Sequence, residues 1–148
     1  MKSQPIPEGF RTVTPYFTVQ GVPRLIEFLK QAFEAEEVRR SVMPDGTVMN
    51  AELKIGDSMV MLGEAPKNRT GLKITASMLY MYVVDADYVY ERAVKAGGKT
   101  IREPADQMYG DRVGAIEDPW GNQWWIATRK ENVSDEELSI RMAQFKKN

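Results

Sequence analysis

Val19-Gln20-Gly21-Val22 leaves a strand-like run and opens an amphipathic helix, and 65 residues further on Val84-Asp85-Ala86-Asp87 does the same. The interval recurs: Gly56-Asp57-Ser58 falls on Gly121-Asn122-Gln123, and Glu52 falls on Glu117. Strand, helix, strand and glycine turn held at one spacing mark a duplicated module. Working outward, residues 12–19 read as a strand, and Pro23 sits where proline opens a helix whose Leu25, Phe28, Leu29, Ala32 and Phe33 follow helical spacing. Residues 38–43 and 47–55 alternate around the turn Pro44-Asp45-Gly46, and residues 58–62 follow Gly56-Asp57. Residues 63–75 are turn-rich and read as the linker between copies.

The second copy opens with a strand over 77–84. Its helix is capped by Asp85 or Asp87, carries Val89, Tyr90, Ala93 and Val94, and stops at Gly97-Gly98. A short strand over 99–102, a loop over 103–111 and strands over 112–117 and 123–128 complete it. The expected fold class is α+β, two tandem βαβββ modules at about 10–64 and 75–129 within residues 1–130. Residues 131–148 form a C-terminal helix behind the capping box Ser134-Asp135-Glu136-Glu137, with Leu138, Met142 and Phe145 directed at the domain or at a partner.

Composition narrows the function. The 148 residues are 43% hydrophobic and 28% charged, enough for a packed core, and the net charge of -1 gives no field for nucleic acid phosphates. No apolar run approaches the roughly 20 residues of a membrane span, and the polar, proline-bearing start does not read as a secretion signal, so a cytoplasmic protein is expected. The chain holds no cysteine and no histidine. A zinc, nickel or iron site normally draws on imidazole or thiolate, so only an all-oxygen site for magnesium, manganese or calcium is open to it.

Three stretches carry a resemblance: Val13-Thr14-Pro15-Tyr16-Phe17-Thr18-Val19, Met43-Pro44-Asp45-Gly46 through Glu52-Leu53, and Tyr109-Gly110-Asp111-Arg112 through Asp118-Pro119-Trp120-Gly121-Asn122-Gln123-Trp124-Trp125. Over about residues 10–130 the chain resembles the vicinal oxygen chelate superfamily, in its glyoxalase, bleomycin-resistance and dioxygenase group and the PhnB-like branch of it. The resemblance implies a curved mixed sheet with a concave cleft. In the enzymes of that family the cleft holds a divalent metal, and the ligand slots fall here at Thr14, Val60, Leu79 and Trp125, none a usual ligand. Asn50 and Asn122 stand where relatives often show histidine.

Strand alternation sends Ala51, Leu53, Phe17, Val19, Trp124 and Ile126 under the helices and Asn50, Glu52, Tyr16 and Trp125 to the other side. The expected cleft lining is Tyr16, Asn50, Glu52, Val60, Leu79, Met81, Glu117 and Trp125, with Arg112 at the mouth to meet an anion or to pin its loop. Such an aromatic and acidic lining suits a flat or cationic organic ligand. The reading is a metal-free small-molecule-binding protein with no cofactor, sequestration of an antibiotic being one form of it, and a homodimer with neither nucleic acid nor membrane as partner. The alternative is a glyoxalase-like or dioxygenase-like lyase or isomerase using Glu52 and Glu117, with an oxygen-liganded divalent metal or as acid and base. A third class is an interaction module whose cleft is filled by Trp125.

Overall fold

The computed structural model describes residues 3–66 and 74–146. The chain divides into two compact units, residues 1–77 and 78–148, and each carries a four-stranded mixed sheet with a helix packed on it. The tandem βαβββ architecture expected from the repeat is what the chain adopts.

In the first unit β1 (Tyr16–Val19), β4 (Ser58–Glu64), β3 (Val48–Ile55) and β2 (Glu36–Val42) lie in that order, β1 parallel to β4 and the other neighbours antiparallel. The α1 helix (Val22–Phe33) buries Leu25, Ile26 and Leu29 completely, on the side of the sheet that carries Phe17, Val19, Ala51, Leu53, Val60 and Leu62. Each such side chain contributes about 1.5–3 kcal/mol when fully buried. The helix starts at Gly21, whose φ of 93° favours glycine and which has no side chain to cap the helix. The cap comes from β4: the Glu64 carboxylate accepts from Gly21 N–H at 3.0 Å and from Val22 N–H at 3.1 Å. A carboxylate there also meets the positive end of the helix dipole.

The second unit repeats the plan with β5 (Met78–Tyr82), β8 (Gln123–Arg129), β7 (Asp111–Glu117) and β6 (Lys99–Asp106), and with α2 (Ala86–Lys95). Asp85 is the residue that caps α2, accepting from Tyr88 N–H at 3.1 Å. Thr128 Oγ1 accepts from Ala86 N–H at 2.9 Å and donates to the Val83 carbonyl at 2.8 Å. In place of the loop expected after residue 102, β6 runs on to Asp106. The strand lies at the sheet edge, where the register irregularity between Arg102 and Ala105 accommodates Pro104. A final helix, α3 (Asp135–Lys146), starts where Ser134 Oγ accepts from Glu137 N–H. Arg141 ties it to the Met108 carbonyl and to Glu131, while Met142 and Phe145 are exposed. The expected linker over 63–75 is shorter at its start, because Gly63 and Glu64 belong to β4; residues 67–73 lie outside the described residues.

The interval between the copies is 64 residues in β1, α1 and β4, not 65. Tyr16 pairs with Met61 as Tyr80 pairs with Trp125, and Glu64 stands over Val22 as Thr128 stands over Ala86. Between β3 and β7 the interval is 63, because Ile55 faces Ser58 across Gly56-Asp57, whereas Asp118 bonds Asn122 across Pro119-Trp120-Gly121. The match of Gly56 with Gly121 is confined to the hairpin tip, where both have positive φ. A shift of one residue inverts a strand's faces, so the difference matters for every site assignment.

Candidate functional site

On the face of the second sheet turned away from α2, cross-strand pairing aligns four residues in one row: Tyr80 beside Trp125, Trp125 beside Ala115, and Ala115 beside Arg102. Ala115 is small, so the Arg102 guanidinium reaches across it and lies 5.3 Å from the centre of the Trp125 ring. That is within the range of cation–π attraction. The other polar contact of Arg102 is Gln107 Oε1 at 3.4 Å.

One row along, Tyr82 stands edge-on to Tyr80, ring centres 5.4 Å apart. Both phenols donate to the same oxygen of Asp111 at 2.8 Å, and Arg129 Nε reaches its other oxygen at 3.3 Å. Asp111 is only 1% exposed. Burial raises its pKa, but the bonds from Tyr80, Tyr82 and Arg129 outweigh that and hold the carboxyl below the ordinary value. Burial and the bonds to Tyr109 and Asp111 push the Tyr80 phenol well up, so it stays a proton donor. The carboxylate therefore orients two rings and is itself neutralised by Arg129.

The first unit builds the same row with different contents: Tyr16, Met61, Glu52 and Arg39 in register. Here the carboxylate of Glu52 stands opposite the guanidinium-bearing Arg39. Asn50 lies one row along, opposite Ser41 and Gly63. The Tyr16 ring crosses Gly63, where a Cβ would meet the ring carbon Cε1 at 2.9 Å, so a larger residue there would displace the exposed tyrosine ring.

Several expected site residues lie elsewhere. Val60 is opposite Leu53, buried under α1, and Leu79 and Met81 are opposite Trp124 and Ile126 on the side of α2. An interval of 65 places Val60 with Trp125 and Leu79 with Thr14, and the observed interval of 64 puts Val60 and Leu79 on the opposite face. Arg112 also faces α2, bonded to Asp87 at 3.0 Å and to Asp106 at 3.2 Å. It pins the helix to the edge strand and reaches neither Asp111 nor Glu117. Glu117 does face away from the helix with Trp125, but it lies opposite Lys99, at the place that Lys54 holds in the first unit; the counterpart of Glu52 is Ala115. Asn122 is buried, and its side-chain amide holds Asp118 at 3.0 Å in the turn. Asp118 also accepts from Trp124 Nε1, so the Asp-Pro-Trp-Gly-Asn motif is spent on the turn. Sequence reasoning missed Tyr80, Tyr82, Arg102 and Asp111. Extending the reading of Tyr16 by 64 residues would have found the first.

The metal implied by the fold does not suit these residues. The chain has no histidine or cysteine, and among the described residues no group of three or more Asp or Glu is placed to hold an ion.

Residues 12–126 match the Glyoxalase/Bleomycin resistance protein/Dioxygenase superfamily. The chain belongs to that superfamily. An uncharacterised protein of Mycobacterium tuberculosis is 30% identical over 139 residues, 88% of this chain and 82% of the relative. Among solved structures, TioX from Micromonospora sp. ML1 superposes with a TM-score of 0.65 at 20% identity, over 79% of this chain and 98% of TioX. A Bacillus cereus protein described as a putative 3-demethylubiquinone-9 3-methyltransferase, PhnB protein, superposes with a TM-score of 0.63 at 18% identity, over 80% of this chain and 99% of its own. At these identities the structures show the shared fold alone.

Proposed function

We propose that the chain is a small-molecule-binding protein that works without a metal, holding a planar aromatic compound on the second sheet by stacking. The observation that carries this is the row Tyr80, Trp125, Ala115 and Arg102, flanked by Tyr82, with both phenol groups fixed by one buried carboxylate. Rings held in place lose little freedom when a ligand settles on them, which favours binding. The superfamily's description includes bleomycin-resistance proteins, so sequestration of an aromatic antibiotic is one form the activity takes. Among the described residues no helix is long and apolar enough to cross a membrane. A cytoplasmic homodimer is the assembly proposed, with the exposed Ile140, Met142 and Phe145 of α3 as the surface to check.

The test begins with the metal content of protein purified without a histidine tag, followed by calorimetric titration with Mg²⁺, Mn²⁺, Ni²⁺ and Zn²⁺. The expected result is no stoichiometric ion, together with thermal stabilisation by planar aromatic compounds that Trp125→Ala removes. Stoichiometric metal lost in Glu52→Gln and Glu117→Gln would sink this reading in favour of a lyase or dioxygenase. Light scattering on the same sample gives the oligomeric state.

A further inference from the structure

We infer that the second sheet selects planar aromatic anions and that Arg102 is the residue that reads the charge. This rests on the aromatic-receptor reading above and names its ligand class.

The two units can be compared at this row. Each has the same cross-strand row, tyrosine at one end and arginine at the other. In the first, Arg39 lies opposite Glu52; in the second, Arg102 lies opposite Ala115. Two acids on the second face each have a basic neighbour. Asp111 is held by Arg129 at 3.3 Å and by two phenols, and Glu117 stands opposite Lys99. Among the described residues Arg102 has no ion pair, and it is held loosely, by an amide oxygen and a ring face.

An unmatched guanidinium parked over an indole is suited to a ligand with a flat ring and an adjacent carboxylate. The ring takes the place on Trp125, and the planar fork of Arg102 turns to the carboxylate, a pairing stronger than a neutral hydrogen bond. An aromatic cation meets the reverse: Arg102 repels it, and the buried carboxylate that would attract it is already bonded on both oxygens. The sequence-based expectation is a flat or cationic ligand, with Glu52 and Glu117 in the lining; the flat ring stays and an anion takes the place of the cation, because Asp111 is bonded on both oxygens and Glu117 stands opposite Lys99.

Three isosteric probes separate the possibilities: 2-naphthoate, 2-naphthamide and 2-naphthylmethylammonium, titrated calorimetrically at neutral pH and low salt. The expected order has 2-naphthoate about tenfold tighter than 2-naphthamide, consistent with roughly 1.4 kcal/mol for an exposed charge-assisted contact, and the ammonium weakest. Arg102→Gln should remove the preference and leave 2-naphthamide within about twofold, Arg102→Lys should keep part of it, and Arg39→Gln should change nothing. Naphthamide or the ammonium binding as tightly as naphthoate, with loss in Trp125→Ala, would overturn the charge selection and leave the receptor function standing. A naphthoate preference that survives Arg102→Gln would overturn the role of Arg102. Failure of all three probes to bind would overturn this inference and the receptor reading together.

Discussion

The first unit sets an acid opposite a base across neighbouring strands, whereas the second ties its buried acid, Asp111, to Arg129 and two phenols and, among the described residues, leaves Arg102 without an ion pair. Tyr16, Met61, Glu52 and Arg39 form a row with acid and base side by side, while Tyr80, Trp125, Ala115 and Arg102 form the same row with a ring where the thioether was and a methyl group where the acid was. The difference teaches that duplication preserved the backbone pairing and let the face diverge. One copy carries an acid and a base on this face, and the other carries Tyr80, Tyr82 and Trp125. The cores diverge too: α1 buries seven residues, whereas α2 buries Ala86 and Ala93.

The core contrast predicts the largest effect. Phe17→Ala should cost about 3–5 kcal/mol, since Phe17 is buried between sheet and helix. Its counterpart Met81 is half-buried, and Met81→Ala should cost less than half as much in urea unfolding. Equal losses would break the claim that the first unit holds the denser core.

The next contrast sets Asp111 against Val48, the residue at its place in the first unit. Removing an acid that holds two phenols and an arginine leaves polar groups without their partner, so Asp111→Ala should cost about 2–3 kcal/mol, against about 1–2 kcal/mol for Val48→Ala. The acid dependence distinguishes them further. Because the folded Asp111 titrates below its unfolded value, its contribution is complete above the ordinary carboxylate value of about 3.9 and is lost as pH falls through the folded one. The gap between wild type and Asp111→Asn should therefore close in acid, while the Val48→Ala gap should not. Parallel curves for both variants would remove the cluster from the comparison.

The helix starts give the smallest effect. Glu64→Ala strips the acceptor from two N–H groups of α1 and should cost about 1–2 kcal/mol; Thr128→Ala strips one from α2, where Asp85 still caps, and should cost about 1 kcal/mol or less. A larger loss at Thr128 would mean that its bond to the Val83 carbonyl outweighs its role at the helix.

Much of the fold was legible because its signals are local. Pro23, Asp85, Gly97 and the two glycine tips mark boundaries by backbone chemistry, and Phe17, Val19, Ala51 and Leu53 mark the buried side by alternation. The site was less legible. Met78-Leu79-Tyr80-Met81-Tyr82 is apolar at every position, so period-two reasoning cannot say which side faces the helix, and the tip glycines set the copies one residue out of phase. Asp111 stood in a quoted motif, but its partners Tyr80, Tyr82 and Arg129 come from two other strands, a convergence that only pairing reveals.

The adjacent tryptophans of β8 look out of opposite sides of one strand, Trp124 buried and bonded to Asp118, Trp125 half-exposed beneath a guanidinium. Their light emission should differ accordingly, blue-shifted for the first and red-shifted for the second, and a small dissolved quencher should reach the second before the first. A single strand thus carries two built-in optical probes, one for the integrity of the core and one for occupancy of the surface beside it.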